Sequence, residues 1–280
     1  MPELPEVEVL VRHLAPLVRG KTIRNVTVRR ERVIRPTALQ ELRHALRGAR
    51  IVGVRRRAKF FLFELRRPLR RESVRLVGHL GMTGRVFLAP KRQALPKHAA
   101  VVLELGQENL VYEDARYFGR FSLDASSLAK LGPEPLSPDF TVDYLVRALK
   151  RSARAIKIKL LDQTLVAGIG NIYASEALHR ARLSPRRAAR SLTRVEAGRL
   201  HRAIRKTLAE AIRFGSTVPL NFGGRDGLFY YGRAEGAPDF YEERLRVYDR
   251  AGQACRQCGV AIRRIVQAAR STYYCPGCQR

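Results

Sequence analysis

The four cysteines of this chain all lie near its C-terminus, in two C-x-x-C pairs: Cys255 with Cys258, and Cys275 with Cys278. Each pair suits a tight knuckle that directs two sulfurs at one metal ion, and the two pairs together match tetrahedral zinc spacing. Two disulfides are disfavoured because the acidic N-terminus does not resemble a secretion signal, and a redox pair lacks a thioredoxin-like context. The pattern predicts a C-terminal hairpin around one structural Zn²⁺, with every ligand position filled by cysteine.

The balance of charge points to a polyanionic partner. The chain has 280 residues and carries 54 Lys and Arg against 25 Asp and Glu, a formal net charge of +29. Basic residues are spread over the whole length, which suits a protein that straddles a phosphate backbone. A ribosomal or RNA-packing protein is one alternative; a membrane-surface binder is weaker, because no helical segment pairs an apolar face with a basic one. We therefore expect a nucleic-acid partner, no membrane span and a cytoplasmic location.

Residues 21 to about 125 have the composition and alternation that are typical of strands, with Gly or Pro at the segment ends. The predicted strand segments are 22–30, 50–65, 74–88 and 99–105, and a hairpin turn at 106–109 leads into 110–112. Short strands with tight turns predict a two-sheet β-sandwich or a flattened barrel. A helix precedes it, because apolar side chains recur at helical spacing from Val7 to Leu17, and Gly20 ends the run.

The hydrophobic period becomes helical beyond a Pro-rich break at residues 131–138. The clearest helix begins at Thr193, where Glu196 completes a capping box, and it ends at Gly215. Shorter helical segments are predicted at 142–149, 156–162 and 166–181. The chain is therefore expected to be α+β and multidomain. The predicted domains are 1–131, the N-terminal helix and β-sandwich; 132–222, helical; 223–242, a loop or linker; and 243–280, the zinc finger.

The first six residues, Met1 to Glu6, offer an unusual nucleophile. Removal of Met1 would leave Pro2 with a free secondary amine, which titrates near ~8 and is partly unprotonated at neutral pH. Such an amine can attack a carbon at the oxidation level of an aldehyde, whereas a lysine needs deep burial to lower its pKa before it becomes nucleophilic. The Glu3 carboxyl beside it is a candidate acid or base. The same residues also predict a helix start, since Pro5 and acidic side chains favour the first turn.

Several motifs lie between the two ends of the chain. The segment 168–176 places glycines and an Asn at a turn that opens a helix, where backbone N–H groups can bind phosphate. Together with Pro2–Glu8, 56–59, 79–82, 114–119 and the cysteines, it closely resembles the bacterial formamidopyrimidine-DNA glycosylases over nearly the whole chain. The resemblance implies a helix-two-turn-helix DNA-binding domain, one zinc ion, and a monomer that acts on double-stranded DNA containing a damaged base.

The resemblance also implies a bifunctional glycosylase and AP lyase of base-excision repair. Pro2 would attack C1′ of the damaged nucleotide and form an iminium that expels the base, with Glu3 as the acid. The iminium acidifies the C2′ proton, so β-elimination and then δ-elimination would cut the backbone. Lys59 would aid catalysis, although its own context fits a plain phosphate contact, and Glu6 is either a supporting carboxylate or a helix cap. Arg270 would grip the phosphates at the lesion and assist δ-elimination.

Extrusion of a base from the stack has to be compensated by side chains that fill the hole. The resemblance assigns this to Met82, to Arg116 facing the orphaned base, and to Phe118 wedged beside it. Met82 sits on a Gly-flanked turn, which suits an apolar wedge. A buried strand Phe and a surface Arg are the structural alternatives for the other two. Further phosphate contacts are matched by three residues: His98, with a solvated loop histidine as its alternative, Lys157 and Asn171.

The substrate is left open by one departure from the family. The loop after the long helix, residues 216–238, lacks the Gly-Gly-Thr-Thr-Leu-Lys-like start that folds over an oxidised purine. We expect removal of oxidised purines, 8-oxoguanine and formamidopyrimidines. An endonuclease VIII-like enzyme for oxidised pyrimidines is the alternative, against which Leu4 stands where that branch has Gly. A non-catalytic zinc-containing damaged-DNA binder would have lost Pro2, Glu3 or Lys59, and all three are present.

Overall fold

The computed structural model describes residues 2–67, 73–214, 220–221, 230–231 and 244–280. Internal contacts divide the chain into two compact units. Unit 1 comprises Met1–Ala129 and Gly215–Asp239, and unit 2 comprises Lys130–Phe214 and Phe240–Arg280. Apart from 220–221 and 230–231, the loop at 216–238 lies outside the described residues, and so does almost all of the linker predicted at 223–242.

Helix α1, Leu4–Val18, opens unit 1 as predicted. Pro5 lies in its first turn, and the Glu6 carboxylate accepts the Glu3 backbone N–H at 2.8 Å, which caps the helix start. The buried face of α1 ends one residue later than predicted: Val18 is fully buried, whereas Leu17 is 39% exposed. The helical period of 3.6 residues carries the buried face from Leu14 to Val18 and not to Leu17.

Two four-stranded antiparallel sheets form the body of unit 1. Their strands are β1 Asn25–Val28, β2 Arg50–Arg57, β3 Phe60–Arg66, β4 Ser73–His79, β5 Arg85–Pro90, β6 Ala99–Glu104, β7 Glu108–Glu113 and β8 Arg120–Ser122. One sheet has the order β1-β6-β7-β5, and the other has the order β2-β3-β4-β8. A separate pair consists of β9, Leu220–Asn221, and β10, Tyr230–Tyr231. The two-sheet fold and the hairpin between β6 and β7 are confirmed.

Three sequence predictions in this region need correction. The segments 50–65 and 74–88 each contain two strands. The backbone reverses at residues 58–59 between β2 and β3, and a turn at 81–83 takes the chain from β4 of one sheet to β5 of the other. The stretch predicted as strands also contains helix α2, Leu39–Leu46, which buries Leu42 and Leu46. Its apolar residues repeat at helical spacing, but the run is only two turns long and is flanked by strand-like sequence.

Aromatic rings fill the centre of the sandwich. Phe61 and Phe63 of β3 and Phe121 of β8 come from one sheet, and Tyr112 of β7 comes from the other. The Tyr112 ring stacks on Phe121 with 5.1 Å between centroids. Alternate residues of β3 face this core because successive side chains of a strand point to opposite faces. The packed centre holds the strand ends, and the turns that join them, in fixed positions.

Unit 2 is helical and ends in a two-stranded hairpin. A short helix α3, Ser126–Ala129, ends the first part of unit 1, and unit 2 contains α4 Val142–Lys150, α5 Ile156–Leu160, α6 Asn171–Arg180, α7 Arg194–Arg213, β11 Arg263–Gln267 and β12 Arg270–Tyr274. The predicted capping box is confirmed, because Glu196 accepts the Thr193 N–H at 2.9 Å and Thr193 accepts the Glu196 N–H at 3.3 Å. Within the described residues, none of the helices combines the length and apolar composition of a bilayer crossing.

The cap of α7 gives a stability prediction. Thr193→Ala removes the hydroxyl that accepts an N–H of the first turn, so the free energy of unfolding should fall by about 1 kcal/mol. Thr193→Ser keeps a capping hydroxyl and should stay near the wild-type value. Urea denaturation followed by circular dichroism measures both, and equal losses in the two variants would contradict the capping role.

Candidate active site and nucleic-acid interface

The N-terminus of α1 and the turn between β2 and β3 carry the residues predicted to be catalytic in unit 1. Glu3 is 1% exposed and Lys59 is 8% exposed, while Pro2 is half-buried just ahead of the helix. Lys59 lies in a tight turn that Ala58 closes with a left-handed backbone, at a φ of 53°. The Glu3 carboxyl and the Lys59 ammonium are therefore taken largely out of bulk water, where electrostatic effects on a reaction are stronger.

An arginine connects these two pieces of the site. The Arg56 Nε donates to Glu8 of α1 at 2.6 Å, and an Arg56 terminal nitrogen donates to the Ala58 carbonyl at 3.2 Å. Burial raises the pKa of Glu8, but hydrogen bonds and charge from Arg56 and Arg12 outweigh it and hold the pKa below its ordinary value. Glu8 is therefore ionised at neutral pH, and the ion pair fixes the start of α1 against the turn that carries Lys59.

The sequence did not single out His79, the last residue of β4. Its Nδ1 accepts the Gly81 N–H at 3.0 Å, and its ring lies 4.8 Å from that of Phe60. Burial, and then the charges of Lys59 and Arg120, lower the pKa of His79 to about 4. The imidazole is therefore neutral at pH 7, with the acceptor at Nδ1. Its place in a Gly-flanked turn motif was the available sequence signal.

The residues predicted to fill the hole left by a flipped base stand on two adjacent loops. Met82 is 47% exposed on the turn after β4, and Phe118 is 48% exposed on the loop between β7 and β8. The Arg116 guanidinium lies over the Phe118 ring, 4.7 Å from its centroid. Phe118 is thus not a buried strand residue, and large apolar side chains held in water at both loops suit insertion between bases.

His98 precedes β6 and is half-buried. Its backbone carbonyl accepts the Asp114 N–H at 3.1 Å, which ties its loop to the one that carries Arg116 and Phe118.

The four cysteines meet at one point of the hairpin in unit 2, with all four sulfurs within 4.8 Å of one another. Cys255 and Cys278 are 3.9 Å apart, and Cys258 and Cys275 are 3.4 Å apart. A tetrahedral Zn–S bond of about 2.3 Å requires sulfurs about 3.8 Å apart. The thiolates therefore fit one zinc ion, as the spacing predicted.

Lys157, predicted to contact phosphate, lies in the interior of unit 2. Its side chain is fully buried, and its ammonium donates to Asn171 at 2.9 Å, to Ser175 at 3.0 Å and to Thr272 at 3.4 Å. Asn171 also donates its amide to the Ser271 carbonyl at 2.8 Å. Three oxygens satisfy the charge internally, so these contacts fix α5 and α6 to the strand that begins with Arg270, which is itself exposed.

A second buried polar side chain, Glu176, anchors the segment that leads into the zinc hairpin. The Glu176 carboxylate accepts the backbone N–H groups of Arg246, Val247 and Tyr248, each at 2.9 Å. Burial raises its pKa, and those three hydrogen bonds oppose the rise. Three residues further along α6, His179 Nε2 lies 3.6 Å from the Cys255 sulfur. Both residues hold the hairpin on α6.

Three family models match the chain in the order of these structural parts. The formamidopyrimidine-DNA glycosylase N-terminal domain matches residues 1–121, the H2TH domain of the same enzymes matches 131–220, and a zinc finger found in FPG and IleRS matches 252–280. The chain belongs to the formamidopyrimidine-DNA glycosylase family. It is 46% identical to a Thermus thermophilus enzyme, covering 100% of this chain and 98% of that protein, and 41% identical to the Carboxydothermus hydrogenoformans enzyme over the full length of both.

Solved structures of the family have the same fold. The crystal structure of MutM (Fpg) from Thermus thermophilus has a TM-score of 0.83 at 44% identity, covering 99% of this chain and 98% of that one. A Lactococcus lactis FPG mutant bound to DNA containing Fapy-dG has a TM-score of 0.87 at 32% identity, covering 100% of both chains. MutM bound to DNA containing carbocyclic 8-oxo-G has a TM-score of 0.86 at 32% identity, covering 100% of both chains as well. The chain is accordingly a zinc-containing DNA glycosylase of the family, whose activity includes AP lyase.

Removal of one zinc ligand gives a prediction for the metal site. Cys258→Ser should abolish stoichiometric zinc binding, because a site with three thiolates loses much of its affinity for the metal. It should also destabilise the hairpin and thereby weaken binding to duplex DNA. Zinc released by a thiol reagent and measured with a colorimetric chelator tests this. Gln257→Ser, at the exposed neighbouring position, keeps all four sulfurs and should retain one zinc per chain. Equal zinc content in both variants would contradict the assignment.

The buried position of Lys157 gives a second prediction. Lys157→Met leaves three oxygens without their donor, so the free energy of unfolding should fall by about 1–3 kcal/mol. The slope of log duplex affinity against log salt should stay the same, because the Lys157 ammonium donates to three oxygens of the protein.

Arg270→Gln, at an exposed position of the hairpin, is the variant to compare with Lys157→Met. It should reduce the slope of log affinity against log salt by about 1 and leave stability within about 0.5 kcal/mol. Urea denaturation and titrations of an undamaged duplex at several salt concentrations measure both quantities. A slope change of about 1 in Lys157→Met, with normal stability, would show instead that its ammonium meets a phosphate.

Proposed function

We propose that this enzyme removes oxidised purines, 8-oxoguanine and formamidopyrimidines, from duplex DNA through a Schiff base on Pro2, followed by β,δ-elimination. The observation that carries the proposal is the placement of Pro2 at the capped start of α1, beside a buried Glu3, in a unit whose β2–β3 turn presents Lys59. Relatives bound to DNA with Fapy-dG and with carbocyclic 8-oxo-G support the purine substrate.

The Pro2 nitrogen attacks C1′ of the damaged nucleotide, and the bond from C1′ to the base breaks with its electron pair leaving on the base. Glu3 is the acid for both departures: it assists loss of the base and, once reprotonated by water, it protonates O4′ as the C1′–O4′ bond breaks. The Pro2 nitrogen gives up its N–H proton to water, and its lone pair forms the C=N⁺ bond of the iminium. The resulting iminium acidifies C2′, so a C2′ proton is lost to water and the C3′–O bond breaks, with its electron pair leaving on the 3′ phosphate. In the second elimination the C4′ proton is lost and the C5′–O bond breaks, which releases the 5′ phosphate. Lys59 stabilises the developing negative charge from its buried turn.

We assign DNA binding to groups on both units. Met82, Arg116 and Phe118 fill the space of the extruded nucleotide, and the exposure of all three side chains supports this. Arg270 binds the phosphates beside the lesion and assists δ-elimination. Asn171, Lys157 and His98 belong to the phosphate-binding region; for Asn171 and Lys157 the contacts to Ser271 and Thr272 favour a role in holding the strand of Arg270.

The domain organisation that we propose is 1–131, 132–222, 223–242 and 243–280, which the order of the three matching family models supports. The protein acts as a monomer on double-stranded DNA with a damaged base. We place its work in the bacterial cytoplasm on nucleoid DNA, in line with the bacterial sources of its relatives.

Borohydride trapping tests the proposed reaction. Protein shown by mass spectrometry to lack Met1 is incubated with duplexes that carry 8-oxoguanine, an oxidised pyrimidine or an abasic site. We expect a covalent adduct with the 8-oxoguanine duplex. The adduct should be lost in Pro2→Gly, and also in an N-terminally tagged protein whose Pro2 nitrogen is an amide, while both still bind DNA.

The possible outcomes test the choice of substrate and the identity of the nucleophile separately. An adduct with the pyrimidine duplex and none with 8-oxoguanine would overturn the purine assignment in favour of the endonuclease VIII-like activity, which the departure at 216–238 keeps open. Native-rate cleavage by the tagged protein would exclude Pro2 as the nucleophile. Binding without any adduct would leave a damaged-DNA binder.

A further inference from the structure

The Asp114 carboxylate is fully buried between the two loops that carry Met82, Arg116 and Phe118. It directly follows β7, and neither the family roles nor the reaction described above uses it. A buried carboxylate is retained only where hydrogen bonds compensate its desolvation. The donors that surround Asp114 therefore indicate what it holds.

One oxygen of Asp114 links the two loops. Oδ1 accepts the Thr83 hydroxyl at 2.6 Å, and Thr83 is the residue after Met82. The same oxygen accepts the Arg116 backbone N–H at 3.2 Å. The other oxygen, Oδ2, accepts the Gly119 backbone N–H at 2.8 Å, on the far side of Phe118. One carboxylate thus contacts chain neighbours of Met82 and Phe118 and the backbone of Arg116.

The backbones of the two loops also touch at glycines. A Cβ added to Gly81 would lie 2.6 Å from the Gly119 nitrogen, and one added to Gly119 would lie 2.5 Å from the His79 carbonyl oxygen. Both distances are too short for any side chain, so the close approach requires glycine at the two positions. Tyr112, fully buried, donates its hydroxyl to that same His79 carbonyl at 3.0 Å. The Met82 turn and the Phe118 loop are therefore packed as one piece.

We propose that Asp114 is a positioning residue that makes the Met82 turn and the Arg116–Phe118 loop enter the duplex as a single unit. The inference rests on the proposed function, in which these three side chains fill the space of the extruded nucleotide. A wedge that entered alone would leave part of the hole open and would lose stacking without full replacement. Hydrogen bonds to a carboxylate are among the stronger hydrogen bonds in proteins, so Asp114 can keep the two loops together while they enter the duplex.

Thr83 allows the link to be cut without altering Asp114 or any residue that we place against DNA. Thr83→Val keeps the shape of the side chain and removes the hydroxyl donor, whereas Thr83→Ser keeps the donor. Amide hydrogen exchange of the free protein is the first measurement. In Thr83→Val we expect exchange at the Gly119 and Arg116 amides to become about tenfold faster, with Thr83→Ser near wild type.

The second measurement is a double-mutant cycle on base extrusion, with 2-aminopurine fluorescence beside the lesion as the signal. Met82→Ala and Phe118→Ala should be coupled by about tenfold in the wild-type background. That coupling should vanish in Thr83→Val and persist in Thr83→Ser. A role of Thr83 in overall stability alone would lower the melting temperature without removing the coupling, and that result would count against the inference.

Asp114→Asn provides an independent variant, because the amide cannot accept at both ends. It should uncouple the same pair. Persistence of the coupling in both Thr83→Val and Asp114→Asn, with unchanged exchange at the Gly119 amide, would overturn the inference. Absence of any adduct in the trapping experiment would overturn the proposed function instead, and the exchange result would still decide whether Asp114 joins the two loops.

Discussion

The packing of α1 into the β-sandwich is the constraint on which the chemistry of unit 1 depends. Val7, Leu10, Leu14 and Val18 are fully buried, and each contributes about 1.5–3 kcal/mol relative to an exposed side chain. This burial fixes the axis of the helix, and the Glu6 cap fixes its first residue. A terminal amine is ordinarily among the most mobile groups of a chain. Here a helix begins two residues after Pro2, so the amine that we propose as the nucleophile would be held at a set place.

Unit 2 is held by a different kind of contact. Its hairpin has only a small buried apolar cluster, around Val247, Ile262 and Tyr273, and small elements of this kind depend on metal ions or other cross-links. The four cysteine sulfurs converge at one point of the hairpin, and the buried side chains of Glu176 and Lys157 attach it to the helices. Glu176 binds three backbone N–H groups ahead of the hairpin, and Lys157 binds an oxygen within it. The polar contacts to Ser271 and Thr272 add to this packing in positioning the strand that begins with Arg270.

The sequence predicted the elements whose local signals were strong. The capping box at Thr193 and the cysteine pairs both specify local geometry through neighbours in the chain. The sequence-based predictions were wrong where the helical pattern was short or lay within strand-like sequence. Helix α2 is brief and follows strand-like sequence, and the last buried residue of α1 is one position later than expected. The inward orientation of Lys157 was invisible because its partners Ser175 and Thr272 are distant in sequence.

By itself the sequence determined the zinc ligands, the nucleic-acid partner implied by the charge, the two-sheet and helical halves, and the identity of the candidate nucleophile. Each of these follows from residue type and short-range spacing. Tertiary structure alone decided that Met82 and Phe118 stand exposed on adjoining loops, that Asp114 lies between those loops, and that Lys157 faces inward. Such facts depend on which distant segments share a core, and burial energies that are summed over the whole unit select that arrangement.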